Sequence, residues 1–183
     1  MDVPIKRQFL TLSDIVPKLK RIGVLYSPEE TKAVIDEARR VAESMNLKLL
    51  AEEIHSESDV ASALRRLDKQ KMDALWSVAD GKVFSRQSVI YITKYVVRRG
   101  IPFMGPHKGY IRAGALVGLT ADYRDCGRQA GEIVVRILDG AKPESIAVAA
   151  PRTVKMGLNL QVASHIGLTV PPEIIAKADE VIK

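Results

Sequence analysis

The sequence predicts an α/β fold, a three-layer sandwich around a mostly parallel sheet. Three observations carry this. Short apolar runs, nearly continuous in Val, Ile and Leu, alternate with longer amphipathic segments from Ile22 to Gly140. Such runs suit strands covered on both faces. Strand–helix alternation implies right-handed crossovers between parallel strands. At 183 residues the chain can bury one good core, so a single lobe spanning 1–183 is expected.

The elements follow in order. Residues 8–20 carry Phe9, Leu12, Ile15, Val16 and Leu19 at helical spacing, an N-terminal helical arm within residues 1–20. Ile22 to Tyr26 is the first strand. Ser27-Pro28-Glu29-Glu30 combines an N-cap residue, a proline suited to the first helical position and a glutamate at the capping-box position. The helix it opens places Val34, Ala38, Val41 and Met45 on one stripe and stops at Asn46. Leu47 to Ile54 is the second strand. Ser56 opens a helix with Val60, Ala63, Leu64 and Leu67 inward. Asp73 to Val78 is the third strand, ending at Ala79-Asp80-Gly81. Ser85 to Arg99 reads as a helix on length, with Val89, Ile92 and Val96 inward, although its β-branched content permits a strand. Ile101 to Met104 is the fourth strand, followed by the loop Gly105-Pro106-His107-Lys108-Gly109. Leu116 to Leu119 leads to Asp122 and a long amphipathic helix ending at Gly140. An extended stretch Ile146 to Ala150, a strand Val154 to Leu158, a short helix Leu160 to Ile166 and a final helix Glu173 to Ile182 complete the chain.

Composition excludes several classes. The formal charge of +6 comes from dispersed pairs such as Arg39-Arg40 and Arg98-Arg99 on helical surfaces, and aromatic residues are only 5%, too few for a base-stacking platform, so no nucleic-acid partner is expected. One cysteine, Cys126, excludes an internal disulfide and a cysteine-rich zinc site; the three histidines lack metal-ligand spacing, so neither metal nor cofactor is expected. No apolar run approaches the roughly 20 residues of a membrane helix. The start of the sequence lacks the apolar core of a signal peptide, which leaves a cytoplasmic location open.

Ligands of open α/β sheets bind beyond the carboxyl ends of the strands. That rule selects Ser27, Glu30, Asp80, Gly105, His107 and Asp122 as ligand-binding candidates. Four of them have a plainer reading. Ser27 caps its helix, or caps it and also uses its free N–H groups on a ligand. Asp80 closes a turn with Gly81, or receives an amine or hydroxyl. His107 is solvated, or donates to a ligand. Asp122 is an N-cap with Asp125 at capping-box spacing. A phosphoacceptor role for Asp80 lacks the acidic pair after the first strand. Cys126, Ala130, Ile133 and Ile137 form an apolar stripe that predicts packing, and Gly127 and Gly131 on the same helix imply close approach of another element. No nucleophile–base pair is visible, so no catalytic residue is named.

At these residues the chain resembles substrate-binding proteins of ABC transporters, of the type related to predicted tryptophan or tyrosine binders. The matching pieces include Lys20-Arg21-Ile22-Gly23-Val24-Leu25-Tyr26-Ser27-Pro28, Asp73-Ala74-Leu75-Trp76, Asp80, Ile101-Pro102 and Gly114-Ala115-Leu116. Asp122-Tyr123, Gly127-Arg128-Gln129-Ala130-Gly131, Leu138-Asp139-Gly140, Asn159-Leu160, Ile166-Gly167-Leu168, Pro171-Pro172 and Ala178-Asp179-Glu180-Val181-Ile182 continue it, over about residues 8–183. The resemblance implies one lobe, the C-terminal one, of a type I periplasmic-binding-protein-like fold. It implies non-catalytic binding of a small polar ligand such as an amino acid, extracytoplasmic placement, and membrane permease and ATPase partners. Residues 122–150 would then be an inter-lobe crossing helix with its return segment. The family's first lobe has no counterpart in this sequence, and His107 stands where many relatives carry a short polar or acidic residue. A helix whose usual sheet is missing should associate, so a homo-oligomer through 123–138 is expected. The alternative is a ligand-sensing effector domain of a cytoplasmic regulator; a small α/β enzyme is a third reading.

Overall fold

The computed structural model describes residues 3–183. Seven strands form one sheet in the order β2-β1-β3-β4-β5-β6-β7. They are β1 (Arg21–Tyr26), β2 (Lys48–Glu53), β3 (Ala74–Trp76), β4 (Phe103–Gly105), β5 (Val117–Ala121), β6 (Val154–Asn159) and β7 (Glu180–Ile182). All neighbouring pairs are parallel except β5 and β6. The helices are α1 (Ile5–Ile15), α2 (Pro28–Ser44), α3 (Val60–Lys69), α4 (Arg86–Arg98), α5 (Tyr123–Leu138), α6 (Leu160–His165) and α7 (Pro172–Ile175).

Period-two alternation along the strands splits the core into two halves. Ile22, Val24, Tyr26, Ala74, Trp76, Met104, Val117 and Leu158 face α1, α2, α6 and α7. Leu25, Leu75 and Phe103 face α3 and α4. The three-layer α/β sandwich is therefore as the sequence predicts. Helix α1 packs on the sheet: Phe9 and Leu12 are fully buried, and Phe9 meets Trp76 edge to face with ring centroids 5.0 Å apart. It ends at Ile15, short of the expected 20, because Pro17 forces Val16 into an extended conformation. In α4 it is Ser88, beside Ile92 and Val96, that is buried, with Val89 only partly so.

One expectation at the end of an element is corrected. The final helix stops at Ile175, and Glu180–Ile182 joins the sheet as β7, parallel to β6. Asp179 sets this up: its N–H donates to Met156 O at 2.8 Å, and its carboxylate accepts from Met156 N–H at 2.8 Å. The loop after β4 contains a 3₁₀ turn, Lys108–Ala113, which takes the place of a crossover helix between β4 and β5. It lies in a trough made by Gly105, Gly118 and Gly157, three direct cross-strand neighbours on β4, β5 and β6. A Cβ at Gly105 would overlap Tyr110, one at Gly118 the backbone of His107, and one at Gly157 Ile111 and Lys108.

Helix α5 belongs to neither half of the core. Only Asp125 and Cys126 in its first turn are buried; Ala130 is exposed and Ile133 half-buried. The packing expected for the stripe Cys126, Ala130, Ile133 and Ile137 is therefore realised only at Cys126.

Candidate functional site

The parallel strands place Ser27, Ser77-Val78-Ala79, His107 and Asp122 along one edge, just past β1, β3, β4 and β5. The chain runs from β1 out to β2, then returns to the other side of β1 for β3. The crevice between β1 and β3 is thus the point where strand order reverses, the favoured ligand position in open sheets. A cavity of about 230 Å³ opens there. Its floor is Trp76 and Ser77, its sides are Thr31, Val34 and Glu37 of α2 and Gln8 of α1, and Pro106 borders it.

The wall is held by hydrogen bonds. Trp76 Nε1–H donates to Gln8 Oε1 at 2.7 Å, and Gln8 Nε2–H donates to Val3 O at 2.8 Å. Ser77 Oγ donates to Met104 O at 2.8 Å, tying β3 to β4. Glu37 is the one charged side chain lining the cavity among the described residues.

Asp80 is 3% exposed and accepts five hydrogen bonds from the chain itself. Its Oδ2 receives Ser27 N–H (2.7 Å), Ser27 Oγ (2.9 Å) and Thr31 Oγ1 (2.7 Å); its Oδ1 receives the N–H groups of Lys82 (3.1 Å) and Val83 (3.0 Å). Burial pushes its pKa up, but the donors of Ser27, Thr31 and Val83 outweigh this and hold it below the ordinary value. The carboxylate is saturated by the protein. Ser27 makes no side-chain cap of α2; its hydroxyl is spent on Asp80, and it is 1% exposed. Glu30 does not close a capping box either; it accepts from Gly81 N–H at 2.7 Å. Glu29 pairs with Lys82 across the same gap. Ser27, Glu30 and Asp80 are thus brought together as a clasp between two strand-end loops.

The remaining candidates lie along the same edge. Gly105 is buried beneath Tyr110. His107 is exposed; its Nδ1 accepts from Gly109 N–H at 3.1 Å and its ring stands edge-on to Tyr110 at 4.7 Å, so Nε2 is left toward solvent. Asp122 caps α5 as expected, accepting from Arg124 N–H (3.0 Å) and Asp125 N–H (3.3 Å), with Lys155 Nζ 3.4 Å from its other oxygen. These contacts, the Asp125 N–H foremost, lower its pKa against the opposing effect of burial. A second depression, about 480 Å³, is lined by Lys108, Thr120, Asp122, Arg124 and Lys155. His107 stands between the two, flanked by Pro106 and Lys108.

Sequence reasoning missed Gln8, Thr31, Glu37 and Ser77. The position of Ser77 one residue past an apolar strand was the available signal; the others lie on helices and needed the packing.

Residues 2–182 match the family model described as ABC transporter substrate binding protein. The chain belongs to this family. Among relatives of this substrate-binding family, it is 29% identical over 136 residues to a tyrosine-binding protein of Clostridioides difficile (strain R20291), covering 73% of this chain and 39% of that one. A solved ABC domain in complex with L-Trp from Streptococcus pneumonia is 26% identical, with a TM-score of 0.75 over 98% of this chain. A conserved domain protein from Vibrio cholerae is 25% identical, with a TM-score of 0.76. The chain spans 60% of the length of each of these two solved chains. The fold is that of periplasmic-binding-protein-like substrate-binding proteins, and the family's members bind solutes. Among the described residues no helix is long and apolar enough to cross a membrane.

Proposed function

We propose that the chain, placed outside the cytoplasm, provides one wall of an amino-acid-binding cleft that serves an ABC-type membrane permease and its ATPase. The cavity between β1 and β3 carries the reading: it lies at the strand-order reversal and combines an aromatic floor with a few fixed polar groups. Two similar proteins support an aromatic amino acid, one named for tyrosine and one solved with L-Trp. Glu37 is positioned to meet the ammonium group, and Ser77 and Gln8 to orient the ligand. The basic depression beyond His107 offers the opposite sign of charge. The clasp of Ser27, Glu30 and Asp80 positions this wall. Its cavity is smaller than the roughly 300–1,000 Å³ of complete small-molecule sites, which suits one wall of two.

L-tyrosine and L-tryptophan titrated into the labelled protein should move backbone NMR signals of Ser77–Ala79 and Gln8, with dissociation constants on the order of millimolar, about −4 kcal/mol. Glu37→Gln should weaken binding several-fold without changing the melting temperature. Absence of any shift with either amino acid, or shifts away from this cavity, would count against the reading.

A further inference from the structure

We propose that the outer face of α3 and α4 is a docking surface for an anionic phospholipid bilayer, on which the lobe rests with its cavity turned away. Cations that are scattered along the sequence are gathered by the fold. Helices α3 and α4 lie side by side over one face of the sheet and carry Arg65, Arg66, Lys69, Arg86, Lys94 and Arg98 against one acid, Asp68. That acid is already engaged: it accepts from the Tyr95 hydroxyl at 3.0 Å and pairs with Arg99 at 2.9 Å. Arg66 is spent on Glu52 at 2.6 Å. Glu57 and Asp59, in the turn before α3, are held by Ser85 and by the N–H groups of His55 and Ser56. Arg65, Lys69, Arg86, Lys94 and Arg98 are exposed and pair with no acid among the described residues. Helix stability does not account for them. Cations favour the last turn of a helix and acids the first. Arg65 and Lys94 lie before the last turn, and α4 opens on Arg86 with no acid in its first turn.

The apolar residues among these cations indicate the occupant. At about 100° per residue, the side of α4 opposite buried Ser88, Ile92 and Val96 carries Lys94 and Arg98, with Ile90 on one flank and Tyr91 on the other. Ile90 is 51% exposed and Tyr91 41%. A lipid surface takes all three chemistries at once. The aliphatic side chain enters the acyl boundary, the phenol sits at headgroup depth, and Lys and Arg reach the phosphates. A polyanion without a hydrocarbon layer offers nothing to Ile90. The rest of the lobe sets the orientation. Helix α2, on the other side of the sheet beside the cavity, carries five acids against three bases. An anionic surface therefore attracts one side of the lobe and repels the other, which leaves the cavity free.

Vesicles of phosphatidylglycerol and phosphatidylcholine in equal parts should carry the full chain down on sedimentation, and vesicles of phosphatidylcholine alone should not. Salt at ~1 M, with a screening length of about 3 Å, should release it. Lys94→Gln with Arg98→Gln should weaken binding roughly tenfold or more, and Ile90→Ser about threefold, each with an unchanged melting temperature. Lys32→Gln with Arg40→Gln on α2 removes the same charge and should leave binding as it was. Tyr91→Trp should shift its fluorescence to the blue on the anionic vesicles, against the constant signal of buried Trp76. Absence of sedimentation with anionic vesicles would overturn the surface. So would equal loss from the two charge pairs, indifference to Ile90→Ser, or tighter binding to a DNA duplex than to the vesicles.

Discussion

Asp80 carries more of this wall than any other residue. Its five donors come from two loops and from α2, so replacing it disturbs all three. Asp80→Asn presents an amide N–H₂ where the carboxylate receives only donors. With hydrogen bonds to a charged group each worth about 1.5–3 kcal/mol and partial rearrangement allowed, the loss should be about 2–3 kcal/mol at pH 7. The pH dependence has a definite sign. Asp80 has a lowered pKa in the folded state. Its stabilisation is therefore complete above the unfolded value of about 3.9 and is lost as pH falls through the lower folded one. Denaturant unfolding should show the full gap between variant and wild type at neutral pH and a narrower gap below about pH 4; a constant gap would contradict it. The sequence made Asp80 visible as a strand-end acid but not its partners. Ser27 and Glu30 have the spacing of a local capping box, and that box is the reading local chemistry favours. A buried carboxylate from a distant loop competed for the same hydroxyl and won.

Among the elements, the 3₁₀ turn over the glycine row shows the same limit. Strands β1 to β6, α2 and α3 follow from their own apolar patterns, and α4 from its length. The trough does not, since Gly105, Gly118 and Gly157 become neighbours only when three strands pair. The β7 strand was hidden likewise: Glu180–Ile182 is short, and only pairing with β6 separates it from a helix end. Gly118→Ala tests the trough. Its Cβ would press on main-chain atoms of His107, which cannot swing aside as a side chain can. The variant should lose about 1–3 kcal/mol, and the NMR signals of His107–Gly109 should move more than those of α3. An unperturbed His107 would show that the turn rests elsewhere.

For the whole molecule, the sandwich was legible from alternation, but nothing in Val154–Leu158 encodes the reversed direction of β6. That reversal brings Ala121 and Val154 opposite each other, with Asp122 N–H donating to Thr153 O at 2.9 Å. Everything between Asp122 and Thr153 leaves and re-enters the lobe at one rung. Replacing residues 123–152 by Asn-Gly, a two-residue hairpin turn, should leave a lobe that unfolds cooperatively; loss of cooperative unfolding would show that the core depends on the arm. The single point of attachment also has a mechanical side. A force applied through α5 and its return segment pulls on the open end of one antiparallel pair, so its bonds are loaded one after another and not all together. The parallel core feels little of that load. The Lys155–Asp122 and Arg152–Asp125 ion pairs sit at the first rungs to be strained. They act as the rivets of a compliant joint between a stiff lobe and whatever its arm holds.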